Sequence, residues 1–360
     1  MKILDKYLIK EFLQTILFGL FAFTILFVLI DLMEKLDDFI DQSVPNFIIL
    51  QYYFVFIPEI IRLMIPVAVL LSALFTAGKL ANLNELTAIK SAGISLYRFM
   101  LPFILTSFLI CIFSIYFGGY VVPIANKHLV YLEQNFMNKG VYRAGNNIYF
   151  QDTNTRIVSI SFYDVVNNHA NRISIQEFDK ADLIKMVSRI DAIRMKYNSK
   201  NSSWVLSDGV VRTFNDNNET ATPFVEKNLT NLNFSPDDVI KKQRKAEEMT
   251  LPELKEQAED EFKAGNDSTR SWIEYHSRIA FAFSSLVVVL FGLPISSSKR
   301  KGGVAMQFGV NLLITFVYLV FMKISQAFGK NGVMNPILTA WFANIVFFIA
   351  ALINIWRNRR

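Results

Sequence analysis

One cysteine and three histidines are all the thiol and imidazole groups in this chain of 360 residues. Cys111 lies inside an apolar run, so it offers neither a disulfide framework nor a cysteine-based metal site. His128 and His276 lie near the ends of apolar runs with no carboxylate at ligand spacing, and read as interfacial residues. No His-Glu-x-x-His helix, Gly-x-Ser-x-Gly elbow or Gly-x-x-x-x-Gly-Lys-Ser/Thr loop occurs. Nothing therefore points to a zincin, an α/β-hydrolase or a P-loop ATPase. Charge is scarce too, at 19% of residues. The net charge of +6 is not a nucleic-acid footprint, because the basic residues gather at the ends of apolar segments.

What the chain has in excess is apolar surface. Hydrophobic residues make up 52%, with 33 phenylalanines, which is too apolar for an ordinary soluble protein of this length. A bilayer core needs about 20 mostly apolar helical residues. Six stretches qualify: 13–32, 52–77, 100–122, 279–297, 304–324 and 336–356. The second contains Pro58, Glu59, Arg62 and Pro66. The first lacks a cleavage site and reads as a retained span, not a signal peptide.

Basic residues recur in every second connection. The first tail has Lys2, Lys6 and Lys10, and the second connection has Lys79, Lys90 and Arg98 against Glu85. The fourth connection has Lys299, Arg300 and Lys301, and the last residues read RNRR. The connection after the first span is acidic, with Asp31, Glu34, Asp37, Asp38 and Asp41 against Lys35. The positive-inside rule puts both termini in the cytoplasm and residues 123–277 outside.

Those outside residues alternate with period two in NIYFQDTNTRIVSISFYD, NRISIQEF and RIDAIRMKYNSKNSSWVLSDGVVRTF, broken by polar turns. The expectation is an antiparallel β-domain, a curved sheet or jelly roll, with a hairpin turn at Asp208-Gly209. Thr250 and Glu253 form a capping-box pattern that starts a return helix. The fold class is thus an α+β membrane protein, with helices 1–3 over residues 1–122, the β-domain with its return segment over 123–277, and helices 4–6 over 278–360.

Three places carry candidate chemistry. Asp31, Glu34 and Lys35 sit together near the outer end of the first span, either as a solvated loop start or as a polar lining for an amphiphile. Arg62 lies between two prolines within an apolar run, and needs a partner such as Glu59 or an anionic head group. The segment ANLNELTAIKSAGISLYRF places Ala81, Glu85, Ala88 and Ala92 on one helical face, ended by Gly93. A small-residue face with one acid suits docking into a cleft of a cytoplasmic protein, or lying on the membrane surface.

NELTAIKSAG after a proline-containing second span resembles the coupling helix of the LptF/LptG (YjgP/YjgQ) permeases. The opening LDKYLIKEFL, the segment WIEYHSRIAFAFSSLVVVLFGLPISSSKRKGG and the last span extend that resemblance over essentially the whole chain, with the LptG branch the nearer. It implies a periplasmic β-jellyroll domain and an inner-membrane subunit that exports lipopolysaccharide without catalysing a reaction itself. The implied partners are an LptB-like ATPase dimer that supplies the ATP and magnesium chemistry, a sister permease, and LptC-like and LptA-like bridge proteins. No cofactor is implied in this chain. Glu85 matches the acid that contacts the ATPase, Gly93 the terminating glycine, and the first span the lateral-gate helix. Asp31 stands near a position where family members carry a lysine for lipid phosphates, so Lys35 or Arg62 would substitute. Family members also often have a proline after the basic residue at Arg278, and this chain reads RIAFAFSSL without one. The alternative is a membrane scaffold or sensor whose β-domain binds a protein, with no ATPase.

Overall fold

In a computed structural model the described residues are 3–137, 145–164, 169–182, 184–198, 201, 203–215, 218–230, 232–236, 239, 244–263, 267–296 and 303–357. They form two compact units, Met1–Leu132 with Ala246–Arg360, and Glu133–Lys245. The fourth-connection lysines and arginine (residues 299–301) lie outside the described residues.

The first unit is helical. In chain order it contains α1 (Ile3–Asp41), α2 (Asn46–Asn82), α3 (Glu85–Ser91) and α4 (Leu96–Tyr116). A π-helical turn (Phe117–Val121) joins α4 to α5 (Val122–Phe136). A 3-10 turn (Ala246–Glu248), α6 (Leu251–Lys263), α7 (Thr269–Ser296), α8 (Gly303–Lys330) and α9 (Pro336–Arg357) follow the sheet. Six of these runs are long and apolar enough to cross a membrane, with α4, the π turn and α5 counting as one. The helices extend past the apolar stretches because polar residues continue them at the ends, as the acidic 31–41 segment continues α1. Pro58 and Pro66 both lie within α2 without breaking it, which packed membrane helices tolerate.

The centre of the unit is α7. Its membrane window is 67% buried, against 6% for α1, so α7 is enclosed by neighbours and α1 is peripheral. It packs against α2, α4, α6, α8 and α9. Small residues set these distances: a Cβ on Gly292 of α7 would lie 2.9 Å from Leu70 Cδ1 of α2. A Cβ on Gly329 of α8 would lie 2.1 Å from Thr339 Cγ2 of α9. Polar links reinforce the contact. Asn344 Nδ2 donates to the Ala280 carbonyl at 2.7 Å and its Oδ1 accepts from the Tyr318 hydroxyl. Close approach and interhelical hydrogen bonds are what hold helices together in lipid. The glutamate half of the Thr250 capping box is formed: Glu253 Oε2 accepts from the Thr250 amide at 2.7 Å and from its hydroxyl at 2.8 Å at the start of α6.

The second unit carries a six-stranded antiparallel sheet, β1 (Gly145–Thr153), β2 (Arg156–Asp164), β3 (His169–Phe178), β4 (Met186–Asn198), β5 (Ser203–Asn215) and β6 (Asn218–Leu229). Neighbours in sequence are neighbours in the sheet, so the described strands make an open up-and-down meander without the Greek-key crossings of a jelly roll. One feature crosses every pair. Inward side chains alternate by two and then skip: Ile160 is followed by Tyr163, Ala170 by Ile173, and Ala192 by Met195. The extra residues Ser161, Arg172, Ile193 and Asp208 fall at the same register, between bridged pairs on either side. Arg172 and Asp208 have φ of +51° and +55°. The sheet is creased along one line, and because every strand gives one residue the pairing is never lost.

This crease corrects the expectation at Asp208-Gly209. The pair is no hairpin turn but a kink inside the continuous β5, held in line by β4 on one side and β6 on the other. Phe224 of β6 covers the glycine, where a Cβ would lie 2.4 Å from its ring. Trp204, buried in the sheet core, donates from Nε1 to the Phe234 carbonyl at 2.7 Å and pins the chain beyond β6.

The Gly329–Thr339 approach predicts a stability split. Gly329→Ala forces α8 from α9 and costs about 1–3 kcal/mol, seen as a lower unfolding midpoint in detergent. Gly309→Ala, where a Cβ meets nothing within 4 Å, does not lower that midpoint, because alanine is favoured over glycine in a helix interior by about 0.5–1 kcal/mol.

A candidate coupling helix and the polar sites of the helical unit

Glu85 opens α3, a helix of seven residues. The expected helix over about 81–93 is shorter because Asn84 takes φ +58° and separates α3 from α2. Asparagine adopts that left-handed conformation more readily than most residues. Ala81 therefore belongs to the last turn of α2 and packs on its core. Ala88 is exposed on α3, and Ala92 is exposed just past its end. The shared four-residue face is thus not one helical face. Gly93, at φ +79°, ends the helix as expected. The Ile94 amide donates to the Ile89 carbonyl at 3.3 Å and the Ala92 amide to Ala88 at 3.0 Å, the bonding of a glycine-closed terminus. Leu86 seats α3 in the core that also takes Leu8, Phe12, Leu80 and Phe99.

The beginning of α1 surrounds this helix with polar contacts. The Tyr7 hydroxyl lies 3.4 Å from Glu85 Oε2. Lys79, before α3, pairs with Glu11 at 2.7 Å, and Arg98, after it, pairs with Asp5 at 2.7 Å. Sequence reasoning takes Lys79 and Arg98 as orientation charges only and passes over Asp5 and Glu11. Their signal was spacing: Asp5 heads the stripe of Leu8, Phe12 and Ile16 that becomes the buried face of α1.

Farther along α1, Asp31 is buried and its Oδ1 lies 3.5 Å from Lys35 Nζ. Lys35 also hydrogen-bonds the Tyr52 hydroxyl of α2. Phe39, Tyr52, Tyr53 and Phe56 pack around this point, edge to face except for the stacked Tyr52 and Phe56 rings. Glu34 is exposed. Asp31 and Lys35 are thus brought together, with Glu34 outward.

Arg62 and Arg278 meet in a different place. Arg62 pairs with Glu59, its Nε donating to Oε2 at 3.1 Å. Arg278 donates to the carbonyls of Ala246 and Met249. Asn126, unremarked in the sequence, joins both sets, donating to Glu59 Oε2 at 3.2 Å and to the Glu247 carbonyl at 3.3 Å. The two glycines of the π turn make room: a Cβ on Gly118 would lie 3.2 Å from Arg62 Cδ, and one on Gly119 2.4 Å from Leu251 Cδ1. Arg62, Arg278, Ser114 and Ser285 line a space of about 10 Å³, the least that holds a single water and far too little for a lipid phosphate. Both guanidiniums are committed to the protein's own acceptors, Arg62 to Glu59 within α2 and Arg278 to the segment that returns from the sheet, which it braces.

One further cation escaped sequence reasoning. Lys323 lies on the exposed face of α8 in an open apolar groove of about 460 Å³, with Phe316, Val320 and Ile324 beside it. An ionisable residue within an apolar run is the available signal. Among the described residues no three His, Cys, Asp or Glu side chains gather as a metal site.

This architecture defines a multi-pass membrane protein with an antiparallel sheet domain inserted between its third and fourth spans. Residues 6–357 match the family model for the lipopolysaccharide export system permease LptF/LptG. The chain belongs to that family. It is 23% identical over 367 residues to the lipopolysaccharide export system permease protein LptF of Escherichia coli K12, covering 98% of this chain and 95% of that protein. The same identity and coverage hold for LptF of Shigella flexneri. These relatives are LptF proteins, and the family model covers LptF and LptG together. The family and the six apolar helices make it a multi-pass inner-membrane protein.

Arg278→Gln tests the bracing role. It removes the guanidinium donors from the part-buried carbonyls of Ala246 and Met249, at up to about 1–3 kcal/mol each. Limited trypsin digestion then cuts faster after Arg244 or Lys245 than in the parent, while Arg278→Lys gives an intermediate rate.

Proposed function

We propose that this chain is a non-catalytic permease subunit of an ABC-type lipopolysaccharide export complex. It takes lipopolysaccharide from the inner membrane and passes it through its sheet domain toward the outer membrane. An LptB-like ATPase dimer binds on the cytoplasmic side and hydrolyses ATP with magnesium. A sister permease completes the membrane cavity, and LptC-like and LptA-like proteins receive the lipid in the periplasm. Both termini and α3 are cytoplasmic, and the sheet is periplasmic, as the alternation of basic and acidic connections requires.

The observation that carries this reading is the family match across residues 6–357, which spans both halves of the membrane unit and the sheet together. The α3 geometry supports it. A short helix closed by Gly93, rooted by Leu86 and exposing Ala88 is built to be gripped from outside. Glu85 at its start offers the one carboxylate of that helix. Of the gate residues, Asp31 and Lys35 form the pair that fits contact with a lipid, with Glu34 exposed beside them, while Arg62 and Arg278 are held by the protein's own acceptors elsewhere in the helical unit.

Glu85→Ala in the assembled complex lowers lipid-coupled ATP hydrolysis about tenfold, the loss of a contact of about 1.4 kcal/mol. The check is ATPase rate with and without lipopolysaccharide in reconstituted vesicles. A variant that couples like the parent removes Glu85 from the contact.

A further inference from the structure

We infer that the first turns of α1 form a tether that delivers movement of α3 to α1, with Asp5, Tyr7 and Glu11 as positioning residues. This rests on the reading of α3 as the ATPase contact. Three side chains of one helix reach three successive points around α3. Glu11 holds Lys79 on the approach, Tyr7 reaches Glu85 itself, and Asp5 holds Arg98 on the exit. Lys79 is in the last turn of α2 and Arg98 in the first turn of α4, so a shift of α3 that carries these flanking turns with it strains contacts to α1 on both sides at once.

The packing of α1 makes it the helix that yields. Leu8, Phe12 and Ile16 bury its first four turns in the core. No residue from 17 to 30 is buried, and burial resumes only at Asp31. Those residues span about 20 Å of helix and keep only a half-buried face, with Gly19 beside Ala68 and Leu20 on the core, so they resist rotation or tilt less than the buried ends do. A helix is stiff over that distance, so a displacement imposed at Asp5–Glu11 reappears at Asp31 and Lys35. The tether thus connects the coupling helix to the polar group at the other end of α1. Of its two ion pairs, Arg98–Asp5 is the stronger candidate: the Asp5 side chain is 10% exposed, against 26% for Glu11, and enclosure reduces solvent screening.

The test has two arms on the full chain. In nanodiscs, spin labels at exposed Thr87 of α3 and Leu17 of α1 report the distance distribution between the helices. Arg98→Gln with Lys79→Gln widens it, and the charge exchange Asp5→Arg with Arg98→Asp narrows it again. In the reconstituted complex, Arg98→Gln lowers lipid release per ATP hydrolysed several-fold, and the exchange restores most of it. An unchanged distribution in the double-neutral variant, or an exchange that rescues neither readout, overturns the tether. If no ATPase assembles with the parent chain, the proposed function fails, while the spin-label widths still decide the tether.

Discussion

Apolar burial gives little net attraction between helices in a bilayer, because lipid tails are as apolar as leucine. Cohesion has to come from how closely backbones approach and from polar groups shared across the gap. In this protein that constraint converges on α7. Gly292 lets Leu70 close on it, and Asn344 and Tyr318 tie it to α8 and α9. Arg278, near its start, captures the returning chain. The outer helices then differ in freedom according to how much of α7 they touch. Helix α2 is held along its length, while α1 meets α2 and α4 and keeps only a half-buried face along its middle.

Ionisable groups occupy the two ends of this scaffold and do different work. Around α3 they are partly exposed pairs that join three helix ends. Such pairs contribute little to stability, on the order of 0–1 kcal/mol each, yet they fix which elements move together. At the π turn they are more enclosed: Arg62 and Asn126 both donate to Glu59, and Asn126 and Arg278 donate to carbonyls of residues 246–249. Breaking one of these leaves a buried partner without a mate, so this end is braced and the α3 end is articulated.

The helices, the sheet and the capping box at Thr250 were legible because each follows from local periodicity or a short-range pattern. The end of α3 was legible for the same reason, since a glycine after a helical run is a local stop signal. Its beginning was not, because a continuous helix through Asn84 satisfies the sequence pattern equally well and only the left-handed Asn84 separates Ala81 from Glu85. Asp208-Gly209 misled for a related reason. The dipeptide tolerates positive φ, and whether that makes a turn or a kink is decided by pairing with β4 and β6 on either side. The partners of Asp5, Glu11 and Asn126 lie 67 to 121 residues away in the chain, and no local pattern reports them. Arg62 sat between two sequence readings, and its pair with Glu59 one turn away is the one the fold adopts.

The central claim is that this chain works as one permease subunit of an ATP-driven exporter. Its most direct test is isolation of the chain from its native membrane in a mild detergent, with identification of everything that stays bound. The account predicts a soluble ABC-type ATPase together with a second six-span permease. Recovery of the chain alone, or with periplasmic proteins only, in a detergent that preserves other ABC complexes would contradict it.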